Sequence, residues 1–176
     1  MIRLLCLLAL LAFPASAQTV TATLTRPVLL FESNAVVGNG ADTTEDTLYT
    51  FTIPAVLMAN VGDTIYFVGR TTTAGNTDTK STRIRFGSAL TTNVANTGVG
   101  NTFVFFQLWI TKTGANTQKF IALAANANNS LVNSTLATSI TDTSPIVVNL
   151  TAQNATTATA NSIQSDMMLV YYYPAN

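Results

Sequence analysis

The chain has 176 residues, of which 48% are hydrophobic and 9% are charged, and its formal net charge at pH 7 is zero. The hydrophobic share excludes a disordered chain, and the absence of a basic excess excludes a typical nucleic-acid-binding protein. Histidine is absent and the one cysteine is Cys6. The chain therefore lacks the commonest general base and the usual zinc ligand, and no residue after position 6 can form a disulfide.

The first seventeen residues have the pattern of a secretory signal peptide. Arg3 precedes an apolar run over 4–13, and Ala15-Ser16-Ala17 is a small-residue cleavage pattern. The run is shorter than the roughly 20 residues that a membrane span needs. We expect a leader over 1–17, one domain over 18–176, and no stable membrane span once the leader is removed. Retention of the leader as an anchor is the alternative.

Beyond the leader, short alternating runs bounded by Gly, Asn, Asp and Pro predict strands, and no long window has helical spacing. The predicted strands are 19–25, 28–31, 47–53, 64–70, 79–86, 102–111, 118–125, 146–152 and the closing segment 161–173. Segments 34–44 and 93–101 are predicted loops, and 126–143 allows one weak strand. The turn at 113–116 has hairpin chemistry and pairs the strands that flank it. The fold class is all-β, an antiparallel β-sandwich of jelly-roll type with about eight strands.

Two of these strands, 102–111 and 167–173, are apolar on both faces. In a sandwich, one face of each sheet packs on the other sheet and the opposite face is exposed to water. A strand that is apolar on both faces therefore needs another sheet, a loop or a neighbouring subunit to cover its outward face. We expect Trp109 in the core. Tyr171, Tyr172 and Tyr173 fit a subunit seam, because amphipathic rings are favoured at interfaces. Stacking of these rings on sugars or a partner is the alternative.

The segment 48–87 carries a family resemblance. A hydrophobic strand ends in Ile53-Pro54-Ala55, Gly62-Asp63 leads a second strand, and 76–80 opens a third that ends at Phe86-Gly87. This order resembles jelly-roll modules of bacteriophage tail fibres, head fibres and similar appendages, some compared in shape with trimeric tumour-necrosis-factor folds. The resemblance covers about a quarter of the chain, and no catalytic residue carries over with it.

The resemblance implies a non-enzymatic virion structural protein: a capsid decoration, head fibre or tail appendage that contributes to host-surface attachment. Its implied partners are further copies in a homotrimer, other virion proteins and a host-surface glycan. The leader favours the alternative of a secreted or periplasmic carbohydrate-binding module or bacterial surface adhesin.

Few charged residues are candidates for a site. Arg83 and Arg85 share one face of the strand 79–86; they form either a solvated strand face or a cation pair at a subunit contact or ligand groove. Asp42, Glu45 and Asp46 cluster without the spacing of a calcium loop. No pattern selects a glycosidase pair among the acids, and a serine hydrolase would need a His. We therefore expect no catalytic residue, no metal and no cofactor.

Overall fold

The computed structural model describes residues 26–75, 78–97, 102–126, 131–156 and 159–175. The leader and the predicted strand 19–25 lie outside the described residues. The strands are β1 (Val28–Ser33), β2 (Val37–Gly38), β3 (Asp46–Ile53), β4 (Thr64–Thr73), β5 (Thr79–Phe86), β6 (Ala89–Thr97), β7 (Thr102–Gly114), β8 (Thr117–Asn126), β9 (Leu131–Thr138), β10 (Ile146–Asn154) and β11 (Ile163–Tyr173). A short 3-10 turn, Ala55–Met58, follows β3 because Pro54 cannot donate to a strand ladder. Among the described residues there is no helix with the length and hydrophobicity of a membrane span.

The strands form two antiparallel sheets. The larger sheet has the order β1-β11-β4-β7-β8-β9, with β2 also paired to β11, and the smaller has the order β3-β10-β5-β6. The pairs are nested along the chain: β1 with β11, β3 with β10, β4 with β7, and β5 with β6. This nesting is the jelly-roll arrangement, and it confirms the predicted fold class. The hairpin β8–β9 extends the larger sheet at one edge.

Two predicted loops contain strands. Residues 93–97 belong to β6, which pairs with β5 from Thr79↔Thr97 to Phe86↔Ala89. Residues 37 and 38, inside the predicted loop 34–44, pair with β11 as β2. Neither segment has clear apolar alternation, so its extended form depends on the backbone partner beside it. The weak strand allowed within 126–143 is β9, and the predicted β7–β8 hairpin is confirmed, with Asn116 at φ 53° in its turn.

The core lies between the two sheets and is built from inward-facing residues of both. Phe86 of the smaller sheet meets Phe120 of the larger sheet edge to face, with ring centroids 5.0 Å apart. The other fully buried large side chains include Ile53, Met58, Ile65, Phe67, Ile84, Phe106, Leu108, Ile110 and Leu150. Because this core is filled from both sheets, side chains on the far side of each sheet are left outside the sandwich.

Candidate functional site

The far side of the larger sheet carries a mostly apolar surface, which we call the outer face. Register aligns its side chains in rows that cross β11, β4, β7 and β8. Four successive rows are Tyr173–Thr64–Thr111–Lys119, Tyr171–Tyr66–Trp109–Ile121, Leu169–Val68–Gln107–Leu123 and Met167–Arg70–Phe105–Ala125. Large apolar side chains thus face away from the core over four neighbouring strands.

One end of the outer face is rich in rings with polar atoms. This aromatic end consists of Tyr66, Trp109, Tyr171 and Tyr173. The ring of Tyr66 stacks on that of Trp109 with centroids 4.8 Å apart and planes at 28°, and it stacks on Tyr171 at 6.2 Å. Tyr173 meets Tyr66 edge to face at 6.4 Å. Burial raises the pKa of Tyr66, and the nearby Tyr173 and Tyr171 raise it further, so its hydroxyl stays a hydrogen-bond donor at neutral pH.

The other end of the outer face is mostly apolar, with Gln107 and Arg70 among its apolar side chains. This apolar end consists of Val68, Phe103, Phe105, Leu123 and Leu169. Phe103 and Phe105 are 48% and 41% exposed, and their rings meet edge to face at 5.8 Å. Val68, Phe105 and Leu123 help to line a shallow groove of about 250 Å³. Such exposure of phenylalanine is a liability for a subunit that stays alone in water.

The charge within the apolar end is neutralised locally, because Arg70, the cross-strand partner of Phe105, pairs with Asp166. Arg70 donates from Nε to Oδ1 of Asp166 at 2.8 Å, and its Nη2 contacts the other carboxylate oxygen. The hydrogen bond from Arg70 lowers the pKa of Asp166. A β-bulge between Ser165 and Met167 accompanies this pair. The outer face therefore has little net charge of its own.

Arg83 and Arg85 lie on the opposite side of the molecule, on the far side of the smaller sheet. Arg85 donates from Nε to Oε1 of Glu45 at 2.6 Å and also from Nη2 to Oε2. Arg83 donates from Nη1 to Oε2 of Glu45 at 3.2 Å and to Oε1 of Gln153 at 2.7 Å. The Thr151 hydroxyl donates to Glu45 as well. The two arginines are thus brought together, and Glu45 holds both.

The network shifts the titration of Glu45. The hydrogen bond from Arg85 is the largest cause, and it lowers the pKa of Glu45 to about 2, with Thr151 and the charges of both arginines acting in the same direction. Glu45 therefore stays ionised over the physiological range. The sequence alone does not link Glu45 to Arg83 and Arg85, because Glu45 precedes β3 and the two arginines lie on β5, far along the chain.

Tyr172 faces away from its neighbours in the tyrosine run. Its hydroxyl donates to Oδ1 of the buried Asp63 at 2.9 Å. Burial, followed by the contact with Asp63, raises the pKa of Tyr172 to about 12. Asp63 also accepts from the backbone N–H groups of Asn60 and Ala175, at 2.6 Å and 2.9 Å. The hydrogen bonds of Asp63 to Tyr172 and Ala175 thus connect the turn before β4 to the end of β11 and the residues after it. Tyr171 and Tyr173 lie in the outer face.

The acidic cluster at 42–46 is divided among separate partners. Asp42 accepts from the backbone and hydroxyl of Thr44, and Asp46 accepts from the N–H of Gly40 at 2.8 Å. Glu45 is held by the arginines. In the part of the chain that the structure describes, no group of three or more His, Cys, Asp or Glu could hold a metal ion.

Trp109 was expected in the core and lies instead on the outer face, partly exposed. The neighbouring Leu108 and Ile110 take the inward positions and are fully buried. The alternation of 102–111 predicts two sets of side chains on opposite faces of the strand, but it does not predict which set faces inward. Tyr66 and Val68 were not singled out either, although the alternation of 64–70 places them on one face of their strand.

No family model and no curated protein matches the chain. Among solved structures, the CBM2 module of the Lactobacillus casei BL23 phage J-1 evolved Dit is 13% identical with a TM-score of 0.39, over 72% of this chain and 69% of that chain. A protein of unknown function from Shewanella oneidensis MR-1, SO2946, is 12% identical with a TM-score of 0.40, over 85% and 81%. Because identities and TM-scores are both low, neither similarity carries an inference about this chain.

Proposed function

We propose that this chain is a non-enzymatic structural protein of a bacteriophage virion, as a capsid decoration, head fibre or tail appendage. It assembles with further copies of itself as a homotrimer and contacts other virion proteins and the host surface. The observation that carries the assembly role is the apolar end of the outer face. When one face of an antiparallel sheet packs on the core, its other face is normally polar and exposed to water. A large exposed apolar patch marks a protein contact.

The size and charge of the outer face fit a second copy as its occupant. Four strands spaced about 4.8 Å apart, with four outward side chains each about 6.8 Å apart, cover roughly 500 Å². A standard interface buries about 800 Å² per partner, with an apolar centre and a polar rim. The outer face supplies such a centre. The chain has a formal net charge of zero, so copies approach one another without net repulsion.

The placement of the carboxylates supports a role without catalysis. Each of the eight acidic side chains accepts at least one hydrogen bond from within the chain: Glu32, Asp42, Glu45, Asp46, Asp63, Asp78, Asp142 and Asp166. These bonds serve turns, strand pairs and ion pairs. A glycosidase needs two carboxylates placed on either side of the scissile bond, and these eight are held by separate partners.

The virion assignment rests on the segment 48–87, which resembles phage appendage modules. In the fold this segment is β3, the 3-10 turn, β4 and β5, which alternate between the two sheets. Mass spectrometry of purified particles tests the location. Finding the chain in periplasm or medium and not in particles would instead favour the secreted carbohydrate-binding module or adhesin.

Light scattering coupled to size-exclusion chromatography tests the assembly. We expect the purified chain to have three times the mass of its own subunit, which is 18.6 kDa while the leader is attached. Phe105→Glu places a charge in the apolar end and should give a monomer. The matched control is Val147→Glu, because Val147 is 44% exposed on the far side of the smaller sheet, and it should keep the trimer. A wild-type chain that stays monomeric at all concentrations would refute the proposal.

A further inference from the structure

The interior of the sandwich changes from apolar to polar along its length. Phe86 meets Phe120 towards one end of the core. Towards the start of β5, the inward positions are instead Thr82 and Lys80, and both side chains are buried. A lysine is almost never fully buried unless it is paired. The polar end of the core therefore holds an amine that has no contact with bulk water.

A buried carboxamide and a buried carboxylate lie beside this amine. Asn154 on β10 is the direct cross-strand partner of Lys80, and it is 1% exposed. Asp78 immediately precedes β5 and is 6% exposed. Residues directly opposite in an antiparallel pair have Cβ atoms about 5 Å apart, and the flexible stem of a lysine can bridge that distance. The fold thus brings an amine, a carboxamide and a carboxylate together out of water.

We propose that Lys80 and Asn154 form an intramolecular isopeptide bond between β5 and β10, with Asp78 as the proton carrier. Asp78 accepts a proton from the Lys80 ammonium, which leaves a neutral amine, and Nζ then attacks Cγ of Asn154. As the Cγ–Nδ2 bond breaks, Asp78 moves a second proton from Nζ to Nδ2. The products are a secondary amide and ammonia, which takes the first proton from Asp78 and departs as ammonium. Atoms and charge balance without an oxidant or any other reactant.

The hydrogen bonds of Asn154 orient its carboxamide for this attack. The Ser162 hydroxyl donates to Oδ1 at 2.6 Å, and Nδ2 donates to the carbonyl oxygen of Thr159 at 3.0 Å. Hydrogen bonds to an amide prefer the plane of the group, whereas a nucleophile approaches through one of its two faces. A donor at Oδ1 also stabilises the negative charge that develops on this oxygen during the attack.

The surroundings of Lys80 favour the neutral amine and keep it near its partners. Burial lowers the pKa of Lys80, while the charge of Asp78 raises it and opposes that effect. Nζ donates to the carbonyl oxygen of Asp78 at 3.2 Å, so rotation about the side-chain bonds of Lys80 carries Nζ across to β10. The Asp78 carboxylate reaches the same pair of strands, because Oδ1 accepts the N–H of Thr156, two residues after Asn154, at 3.1 Å. Reactants held in this way react as one molecule.

The bond joins two neighbouring strands of the smaller sheet that are far apart in sequence. A cross-link that closes a long loop constrains the unfolded chain and so stabilises the fold. Such a bond suits an appendage that is pulled during attachment to a host. Its formation depends neither on the outer face nor on the assembly, so failure of the proposed function would leave it intact.

The mass of the purified chain after unfolding tests the bond. We expect a mass about 17 Da below that of the residues present, because one ammonia is lost. Lys80→Met lacks the amine and should have its full mass. An N-terminal glutamine can also lose ammonia by cyclising, so a loss that persists in Lys80→Met would arise elsewhere and overturn the proposal. A wild-type chain of full mass would overturn it as well.

A tryptic digest locates the junction. Trypsin cuts after a lysine only when its Nζ is free, so the peptide 71–83 should remain uncut at Lys80 and be joined to the peptide 120–176. Fragmentation of the joined peptides should place the link at Asn154. Complete cleavage after Lys80 in the wild-type chain would refute the bond, and this reading needs no variant that folds.

Substitutions assign the roles. Asn154→Ala should abolish the link, and Asp78→Asn should leave most of the chains unlinked although the amine and the carboxamide are still present. Lys80→Arg keeps the charge without a nucleophilic amine, and it provides a second variant in case Lys80→Met does not fold. The matched control is Lys112→Met, because Lys112 is a buried lysine that pairs with Asp142 at 2.9 Å; it should keep the loss of ammonia. A link that forms as completely in Asp78→Asn as in wild type would refute the role of Asp78.

Discussion

At the scale of single residues, Glu45 shows how the polar face of the smaller sheet is held together. Arg83 and Arg85 lie 38 and 40 positions further along the chain, yet one carboxylate binds both. Three cationic or hydroxyl donors on two strands thus converge on one acceptor. This explains why the two arginines form an ordered part of the sheet surface rather than a pair of independent solvated charges.

Glu45 predicts a specific dependence of stability on pH. Its pKa is about 2 in the folded chain against an ordinary value of 4.5, so the folded state holds this proton less tightly than the unfolded state. The stabilisation is complete above the unfolded pKa and is lost as pH falls towards about 2. We expect Glu45→Gln to lower the unfolding free energy by about 1–2 kcal/mol at neutral pH, a value reduced because Arg85 is partly exposed.

Denaturant unfolding of wild type and Glu45→Gln across this acidic range measures the effect. The difference in unfolding free energy should shrink as the pH falls through the unfolded pKa and vanish below pH 2, because glutamine resembles the protonated carboxyl. The low-pH end of the titration is therefore an internal control. A difference that stays constant across the range would show that Glu45 acts through packing and not through its charge.

At the scale of elements, β4 and β7 approach closely at one glycine. Gly69 pairs with Phe106 in the register of these strands. A Cβ added at Gly69 would lie 2.3 Å from Cζ of Phe106 and 2.9 Å from the carbonyl oxygen of Met167. Glycine normally weakens a strand, and here its missing side chain makes room for the phenylalanine ring. The Phe106 ring thus occupies the inward-facing space that Gly69 leaves on β4.

Gly69→Ala should therefore destabilise the fold by about 1–3 kcal/mol, the usual cost of overpacking a core. The matched control is Gly40→Ala, because the nearest atoms to its added Cβ are the carboxylate oxygens of Asp46 at 3.4 Å. That variant should change stability by less than about 0.5 kcal/mol. Denaturant midpoints compare the two, and equal midpoints would contradict the role of Gly69.

At the scale of the whole molecule, the jelly roll joins the start of the described chain to its end. β11 lies inside the larger sheet, with β1 and β2 on one side and β4 on the other. It buries Ile163, Met168 and Val170 completely. β1 lies at the edge of the sheet and contributes half-buried residues to the core. β11 thus contributes more buried side chains to the core than β1 does.

Removal of β11 should therefore destabilise the fold more than removal of β1. Removal of β11 deletes three fully buried side chains, each worth about 2–5 kcal/mol, which together match the 5–15 kcal/mol that stabilises a typical domain. We expect a chain ending at Ser162 to lose cooperative thermal unfolding by circular dichroism. A chain that begins after Ser33 should still unfold cooperatively at a lower temperature. Cooperative unfolding without β11 would contradict the central position of this strand.

The sequence by itself determined most of the described strands, the hairpin of β7 and β8, the all-β class and the two strands that are apolar on both faces. These features are local, since side chains alternate along a strand whatever lies beside it. Only the tertiary structure decided which alternate set faces inward, so that Trp109 and Tyr171 lie outside and Tyr172 points to Asp63. It also decided that β6 is extended and that Glu45 meets Arg83 and Arg85. The physical reason is that strand register and sheet packing depend on partners distant in the chain. Those partners decide which of the two alternating sets of side chains is buried and which forms the surface.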